Sequence, residues 1–438
     1  MVYKKVVFSF IIFLTLFTSC NTNEPDSKPA NIEFAAEDAS CTEAWLTLKV
    51  NDIAGAKVYR GDSLIFNLTQ QNIDTTLYDE GLLPNHVYKY HTTIQPYNHS
   101  NVITKELTIQ TMDTTSHNFT WQTYTFGEAG SSTFYDVAII NENNIWAVGE
   151  IYMNDSLGNP DPTFYNAVHW NGTNWELKKL FYKGGIWTIR TIFAFNENDI
   201  WFSAYMRYYN GQFIELPIPN ILMGWQINKL WGSSSSNLYV VGNSGNIAHY
   251  DGSPLANGWQ KIESGVSTDL FDIYGESENI FIAGWRDFQP SVLLRLKNGN
   301  LQKIIEDGDN LFNYRTDFIS GAIYSVWITK KKLYVLTWYD LYRANFNTDG
   351  TAEAIWKGPI QNWGMISVRG NNVNDIIASG VPGKIWHYNG ISWHTYNGLI
   401  DSRDRLRRIE IKDNICVAVG YRYENGIEDQ ALIHIGKR

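Results

Sequence analysis

Residues 228–252 read NKLWGSSSSNLYVVGNSGNIAHYDG. Leu238, Val240 and Gly242 alternate with Tyr239 and Val241, a polar Asn-Ser-Gly turn follows, and Ile247 to Tyr250 forms a second run closed by Asp251-Gly252. Alternation with period two argues strands rather than helix. Asp-Gly after an apolar run is a hairpin signal, because a type I′ turn needs positive φ at both central residues. One such stretch says little about a fold. The same stretch repeated along the chain would define it.

It is repeated. The pattern of apolar strand, polar turn, then Asn/Asp-Ile-aromatic-apolar-apolar-Gly occurs seven times. The copies are Phe134-YDVAIINENNIWAVG, Ile189-RTIFAFNENDIWFSA, Ile227-NKLWGSSSSNLYVVG, Leu270-FDIYGESENIFIAG, Ile323-YSVWITKKKLYVLT, Met365-ISVRGNNVNDIIASG and Leu406-RRIEIKDNICVAVG. Their closing residues, Gly149, Ala204, Gly242, Gly284, Thr337, Gly380 and Gly420, fall about 38 to 55 residues apart, a β-propeller period. A second hairpin follows in several units, at Trp170-Asn-Gly172, Tyr250-Asp-Gly252 and Tyr388-Asn-Gly390, with outer strands opening at Trp175, Trp259 and Trp393. The last unit stops at ALIHIGKR, one strand short, while the sequence WQTYTF stands before the first unit at Trp121–Phe126. The expectation is an all-β chain with a seven-bladed propeller over 113–438. Residues 118–126 supply the closing strand of the last blade as an N-terminal clasp, which removes two sheet edges.

The blade pattern resembles a propeller repeat found in uncharacterised secreted bacterial proteins, over roughly residues 118–438. That resemblance implies an architecture and no particular activity. Residues 31–112 form a separate set of alternating strands at sandwich spacing. Within them Leu82-Leu-Pro84-Asn-His-Val-Tyr88 resembles the Leu-x-Pro-x-x-x-Tyr pattern of fibronectin type III domains, and Trp45 sits in an early strand. The resemblance implies a tyrosine corner in which the Tyr88 hydroxyl bonds back to the chain. It also implies a spacer or adhesion unit, joined to the propeller by residues 111–117.

The N-terminus carries Lys4 and Lys5, an apolar run from Val6 to Phe17, and Cys20. The run is too short to span a bilayer, so residues 1–19 read as a signal peptide. Leu16-Phe-Thr-Ser-Cys20 resembles the lipobox of bacterial lipoproteins. This implies lipidation of Cys20, a tether over 20–30, and membrane attachment in the bacterial cell envelope, facing the periplasm or the exterior. The net charge of −10 argues against a nucleic-acid partner, which needs a basic footprint. Besides Cys20 the chain has only Cys41 and Cys416, in different proposed domains, so neither a disulfide framework nor a cysteine nucleophile is expected.

Chemistry-bearing motifs are few. His169, His249 and His387 occupy one position in three blades, which points to a role in the fold rather than to a metal. The loop 155–164, DSLGNPDPTF, could offer oxygen ligands to calcium, yet its acids lack the spacing of a calcium loop. No cofactor and no metal are expected. Recognition is expected on the loop face, where connections vary in length on a rigid scaffold. Trp187, Trp225 and Trp363 each stand five residues before the central apolar residue of an inner strand, at Ile192, Leu230 and Val368. Trp285, Trp338 and Tyr421 follow the ends of second strands, and Arg286, Asp287, Asp309, Arg315, Arg403 and Arg422 interleave with them. An aromatic rim with fixed polar groups suits sugar faces or a protein hot spot. The alternative for the three tryptophans is a wedge between blades. The leading functional reading is a monomeric, non-catalytic surface lipoprotein binding an extracellular glycan or protein. The alternative is an enzyme acting on extracellular polysaccharide, distinguished by a convergent pair of carboxylates over the channel.

Overall fold

The computed structural model describes residues 32–97, 101–254, 258–286, 289–307, 319, 321–330, 332–346, 352–357, 364–424 and 429–438. The signal segment, Cys20, the tether, Asp287, Asp309, Arg315 and Trp363 lie outside the described residues. No described helix is long and apolar enough to cross a membrane.

The first unit packs two antiparallel sheets face to face. One holds Glu33–Ala39, Glu43–Val50 and Ile73–Glu80; the other holds Ser63–Leu68, Ile53–Arg60, Val87–Pro96 and Ile103–Gln110. Period-two alternation sends Leu46, Leu48, Val58, Tyr90 and Ile94 into one closed core. Tyr88 is the second residue of the strand Val87–Pro96, and its hydroxyl accepts the Leu83 N–H of the preceding corner at 2.8 Å. The Tyr90 hydroxyl donates to Asp79 at 2.7 Å, and Arg60 grips both oxygens of the same carboxylate at 2.9 and 3.0 Å.

Among the described residues, seven further sheets each hold four antiparallel strands in sequential order, each first strand neighbouring the next and the last returning to the first. The seventh sheet is Asp404–Lys412, Ile415–Arg422 and Gln430–Lys437, completed by Thr120–Phe126 from the other end of the chain. Seven residue pairs join those last two strands, from Ala431 with Phe126 to Lys437 with Thr120. The repeated sequence pattern has a geometric cause at each position. The closing glycines end second strands that run against the carbonyl of the first strand's start. A Cβ at Gly149, Gly242, Gly380 or Gly420 would lie 1.9 to 2.3 Å from a backbone oxygen. The Asn or Asp opening each second strand bonds a polar side chain of the third. Asn144 meets His169 at 3.0 Å, Asn237 meets His249 at 2.7 Å, Asp375 meets His387 at 2.7 Å, and Asp199 takes a two-pronged contact from Arg207. The three repeated histidines therefore tie strands together.

A further repeated position links neighbouring blades. The third residue of the quoted units is Asp136, Thr191, Asp272, Ser325 or Ser367 in five of them. Each of these side chains accepts the backbone N–H of the next blade's inner strand, from Ile192, Leu230, Val326, Val368 and Ile409 respectively, at 3.0 to 3.2 Å. The other two units carry Lys229 and Arg408 there, and both reach across the central channel.

The sandwich is docked on the ring. Glu43 bonds Lys332 and Arg343, the latter at 2.9 Å, and the Glu43 and Lys332 side chains are only 4 % and 1 % exposed. Trp45 donates its indole N–H to the same carboxylate at 3.1 Å, and the Lys332 ammonium lies 5.0 Å from the Trp45 and Tyr78 ring centres. Burial alone would raise the Glu43 carboxyl, but Lys332 and Arg343 bring it below its ordinary value. Burial pushes the Lys332 ammonium down to about 8 although Glu43 opposes this. Cys41 packs against Gly390 and points its thiol at the Asp113 carbonyl, 3.1 Å away. All these ring residues lie on or beside turns between first and second or third and fourth strands, so the sandwich sits on one face of the ring.

Candidate ligand cavity at the channel mouth

The second residue of each quoted unit points into the channel at the opposite face. These residues are Tyr135, Asn228, Phe271, Tyr324, Ile366 and Arg407, each in an inner strand, and Arg190, which stands just before the inner strand Ile192–Asn196. With Gln226, Trp285 and Arg408 they line a half-open cavity of about 430 Å³. The strands set this geometry directly. Alternation turns the third and first residues into the sheet packing and leaves the second on the channel side.

Tyr135 lies between two guanidinium groups, Arg190 at 4.5 Å and Arg407 at 5.4 Å from its ring centre, and Arg407 also stands 5.1 Å from the Tyr421 ring. Arg407 keeps more than a third of its surface open to the cavity, yet it is recessed among protein atoms. That recess, with Arg190 and Arg408 nearby, holds its guanidinium below the ordinary value. On the other side of the mouth the rings form an arc. Phe271 and Trp285 have centres 5.9 Å apart, Trp285 and Tyr324 4.9 Å, and Tyr324 and Trp338 5.7 Å.

Beneath the cavity, ion pairs cross the channel. Lys229 reaches both oxygens of Asp136 at 2.7 and 2.8 Å, and Arg369 reaches both oxygens of Asp272 at 2.7 and 3.0 Å. Burial would raise the Asp272 carboxyl, but Arg369 carries it down to about 2. Arg369 also meets Glu410 at 3.1 Å. These acids are each held by a base, and among the described residues no carboxylate lines the cavity. The arrangement suits holding an anion and a flat apolar group.

The aromatic residues expected from sequence divide into two sets. Trp285 lines the cavity, Trp338 continues its arc and Tyr421 flanks Arg407. Trp187 stands apart, 48 % exposed against Tyr182 and Tyr205, and Trp225 is half-buried in the packing of the third unit. Arg286 is exposed and 3.9 Å from Asp269. Arg403 is engaged by Asp401 and Glu424, and Arg422 by Asp404. In the loop 155–164, Asp155 caps its own turn and Asp161 binds Lys179 at 2.7 Å. The residues missed from sequence are Tyr135, Arg190, Gln226, Asn228, Phe271, Tyr324, Ile366, Arg407 and Arg408. Their signal was present, since seven of them share one position in the aligned repeats.

No protein-family model and no curated protein matches the chain. Solved structures do. One titled YCF48 bound to D1 peptide aligns with a TM-score of 0.52 at 12 % identity, covering 73 % of this chain and 95 % of that one. The β-propeller domain of Doa1, of the WD40 type, aligns at 0.46 and 10 % identity over 73 % of this chain and 98 % of its own. That of Cps50 (Swd1) from Myceliophteria thermophila aligns at 0.46 and 9 % over 72 % and 99 %. The ring is a β-propeller. At such identities the likeness is one of fold alone.

Proposed function

We propose that the chain is a bacterial envelope lipoprotein, anchored through Cys20, in which a fibronectin type III-like sandwich carries a seven-bladed propeller that binds an extracellular glycan or protein without catalysis. The observation that carries this reading is the channel-mouth cavity, built from one residue per blade and lined, among the described residues, by rings and guanidinium groups with no carboxylate. The position of the sandwich supports it. The sandwich, and with it the N-terminal side of the chain, occupies the face where Glu43 meets Lys332, so the cavity opens on the opposite face. The first of the similar structures has a peptide in its title, which supports a protein partner; the aromatic arc supports a sugar. The acids nearest the cavity being held by Lys229 and Arg369 favours a binder over an enzyme.

The test uses the full chain in detergent on a glycan array and in cross-linking to surface proteins, beside Trp285→Ala and Trp187→Ala. Trp285→Ala should weaken capture about tenfold or more, as hot-spot aromatics do, with little change in melting temperature. Trp187→Ala should leave capture intact. Capture indifferent to Trp285→Ala, or hydrolysis of an arrayed polysaccharide, would overturn the reading.

A further inference from the structure

Resting on that reading of the face, we propose that the channel mouth binds an anionic sugar, a pyranose ring bearing a carboxylate or sulfate group. Charge is the first ground. The chain carries a net −10, yet among the described residues Arg190, Arg407 and Arg408 line this cavity and no acid does. The described acids beneath and beside it are occupied. Asp136 is held by Lys229 and Thr191, Asp272 by Arg369 and Ser325, and Glu150 by Thr188 and Tyr152. A recessed basic site on an acidic protein draws an anion to that one place.

Two unpartnered donors are the second ground. Arg408 is 9 % exposed, and its Nε is buried with no acceptor, while Nη2 bonds the Phe271 carbonyl. The Trp285 indole N–H is also buried with no acceptor. Indoles such as those of Trp201 and Trp386 are likewise unpartnered within the blade packing, whereas Trp285 and Arg408 both belong to residues lining this cavity. Oxygens of a carboxylate or sulfate would pair with the Arg407 guanidinium, which is open to the cavity, in charge-assisted hydrogen bonds.

The rings choose the body that bears the anion. Phe271, Trp285 and Tyr324 stand at neighbouring places on one side of the mouth, and Trp338 extends the arc outward. Successive aromatic faces match successive apolar faces of a sugar chain, whereas an acidic peptide side chain would use the arginines and leave the arc unengaged. A cavity of about 430 Å³ is within the range of small-ligand sites.

Isothermal titration of the full chain in detergent tests this with four probes: oligogalacturonate, a sulfated galactan oligomer, a neutral galactan oligomer and poly-aspartate of matched charge. One acidic oligomer should bind, more weakly at higher salt, and the choice between the two identifies the anion. Arg407→Gln and Arg190→Gln should each weaken binding about tenfold, the loss of one charge-assisted contact, with unchanged melting temperature. Arg403→Gln, on the rim and engaged by Asp401 and Glu424, should change nothing. Equal binding of the neutral oligomer, tighter binding of poly-aspartate, or acidic binding indifferent to both arginine variants would overturn the inference. If another ligand is then still lost with Trp285→Ala, the binding-face reading stands while the anionic sugar falls. If Trp285→Ala affects no ligand, both fall.

Discussion

Glu43→Gln removes one charge from the buried junction of sandwich and ring while keeping an oxygen for the Trp45 indole. Breaking a buried ion pair costs about 3–5 kcal/mol when the remaining charge has no refuge. Here it has a partial one. Lys332 sits at about 8 even with Glu43 present, so at pH 7 the variant can release that proton for about 1–2 kcal/mol. Arg343 keeps its charge, but 18 % of its side chain reaches solvent. The expected loss is therefore about 3 kcal/mol, and Lys332→Met should recover most of it in the double variant. Calorimetry of the full chain should show the sandwich and ring transitions coupled in the natural chain and separating in Glu43→Gln. A double-mutant cycle should give a coupling of at least about 2 kcal/mol. The pH dependence follows from the same pair. Between pH 8 and 10.5 the folded chain binds fewer protons at Lys332 than the unfolded chain, so this group's contribution to stability rises with pH. Lys332→Met should lack that rise. Separate transitions in the natural chain with a coupling under about 0.5 kcal/mol would refute a tight junction.

Three further outcomes follow from other contacts. A chain beginning at Asp113 should keep the seventh sheet whole, whereas one beginning at Gly127 loses Thr120–Phe126 and bares the edge of Gln430–Lys437; the second should melt much lower or aggregate, and equal melting would refute the clasp. Tyr88→Phe should cost about 1 kcal/mol, because the Leu83 N–H loses its acceptor at an exposed corner where water can replace it; denaturant titration would show a loss above about 3 kcal/mol if the corner held more than this bond. Burial, His387, His394 and Arg438 push His117 down to about 4, so between pH 6.5 and 4 the unfolded chain takes up the proton first and stability is lost as pH falls. A His117→Gln chain should show a flatter melting profile over that window, and an identical profile would refute the contribution.

The ring was legible in the sequence because its rules act locally. A glycine is needed wherever a second strand meets a carbonyl, as at Gly149 and Gly420, and an Asn or Asp opens the second strand to bind across it, as Asn144 does. Such rules repeat with the blade and stand out by repetition. The clasp was legible because WQTYTF matches the other outer strands. The docking of the sandwich was not, since Glu43 and Lys332 lie 289 residues apart and each looks like an ordinary surface charge. One clue existed, for the fifth unit has Lys332 where others have Asn or Asp. The site was half legible. Large rings after strand ends drew attention to Trp285 and Trp338, but Arg190 and Arg407 are small departures at a position that varies in every repeat. Only closing the ring brings Arg190, Arg407 and Tyr135 together, because they come from the second, seventh and first blades.

The central claim is that recognition occurs at the channel mouth, on the face away from the sandwich. Hydrogen exchange of the full chain with and without a bound ligand tests it most directly. The account predicts protection at 133–137, 188–192, 226–228, 270–272 and 404–408, where the inner strands begin around the cavity. Protection confined to the turns at 142–144, 372–374 and 389–391, or to the sandwich, would contradict it.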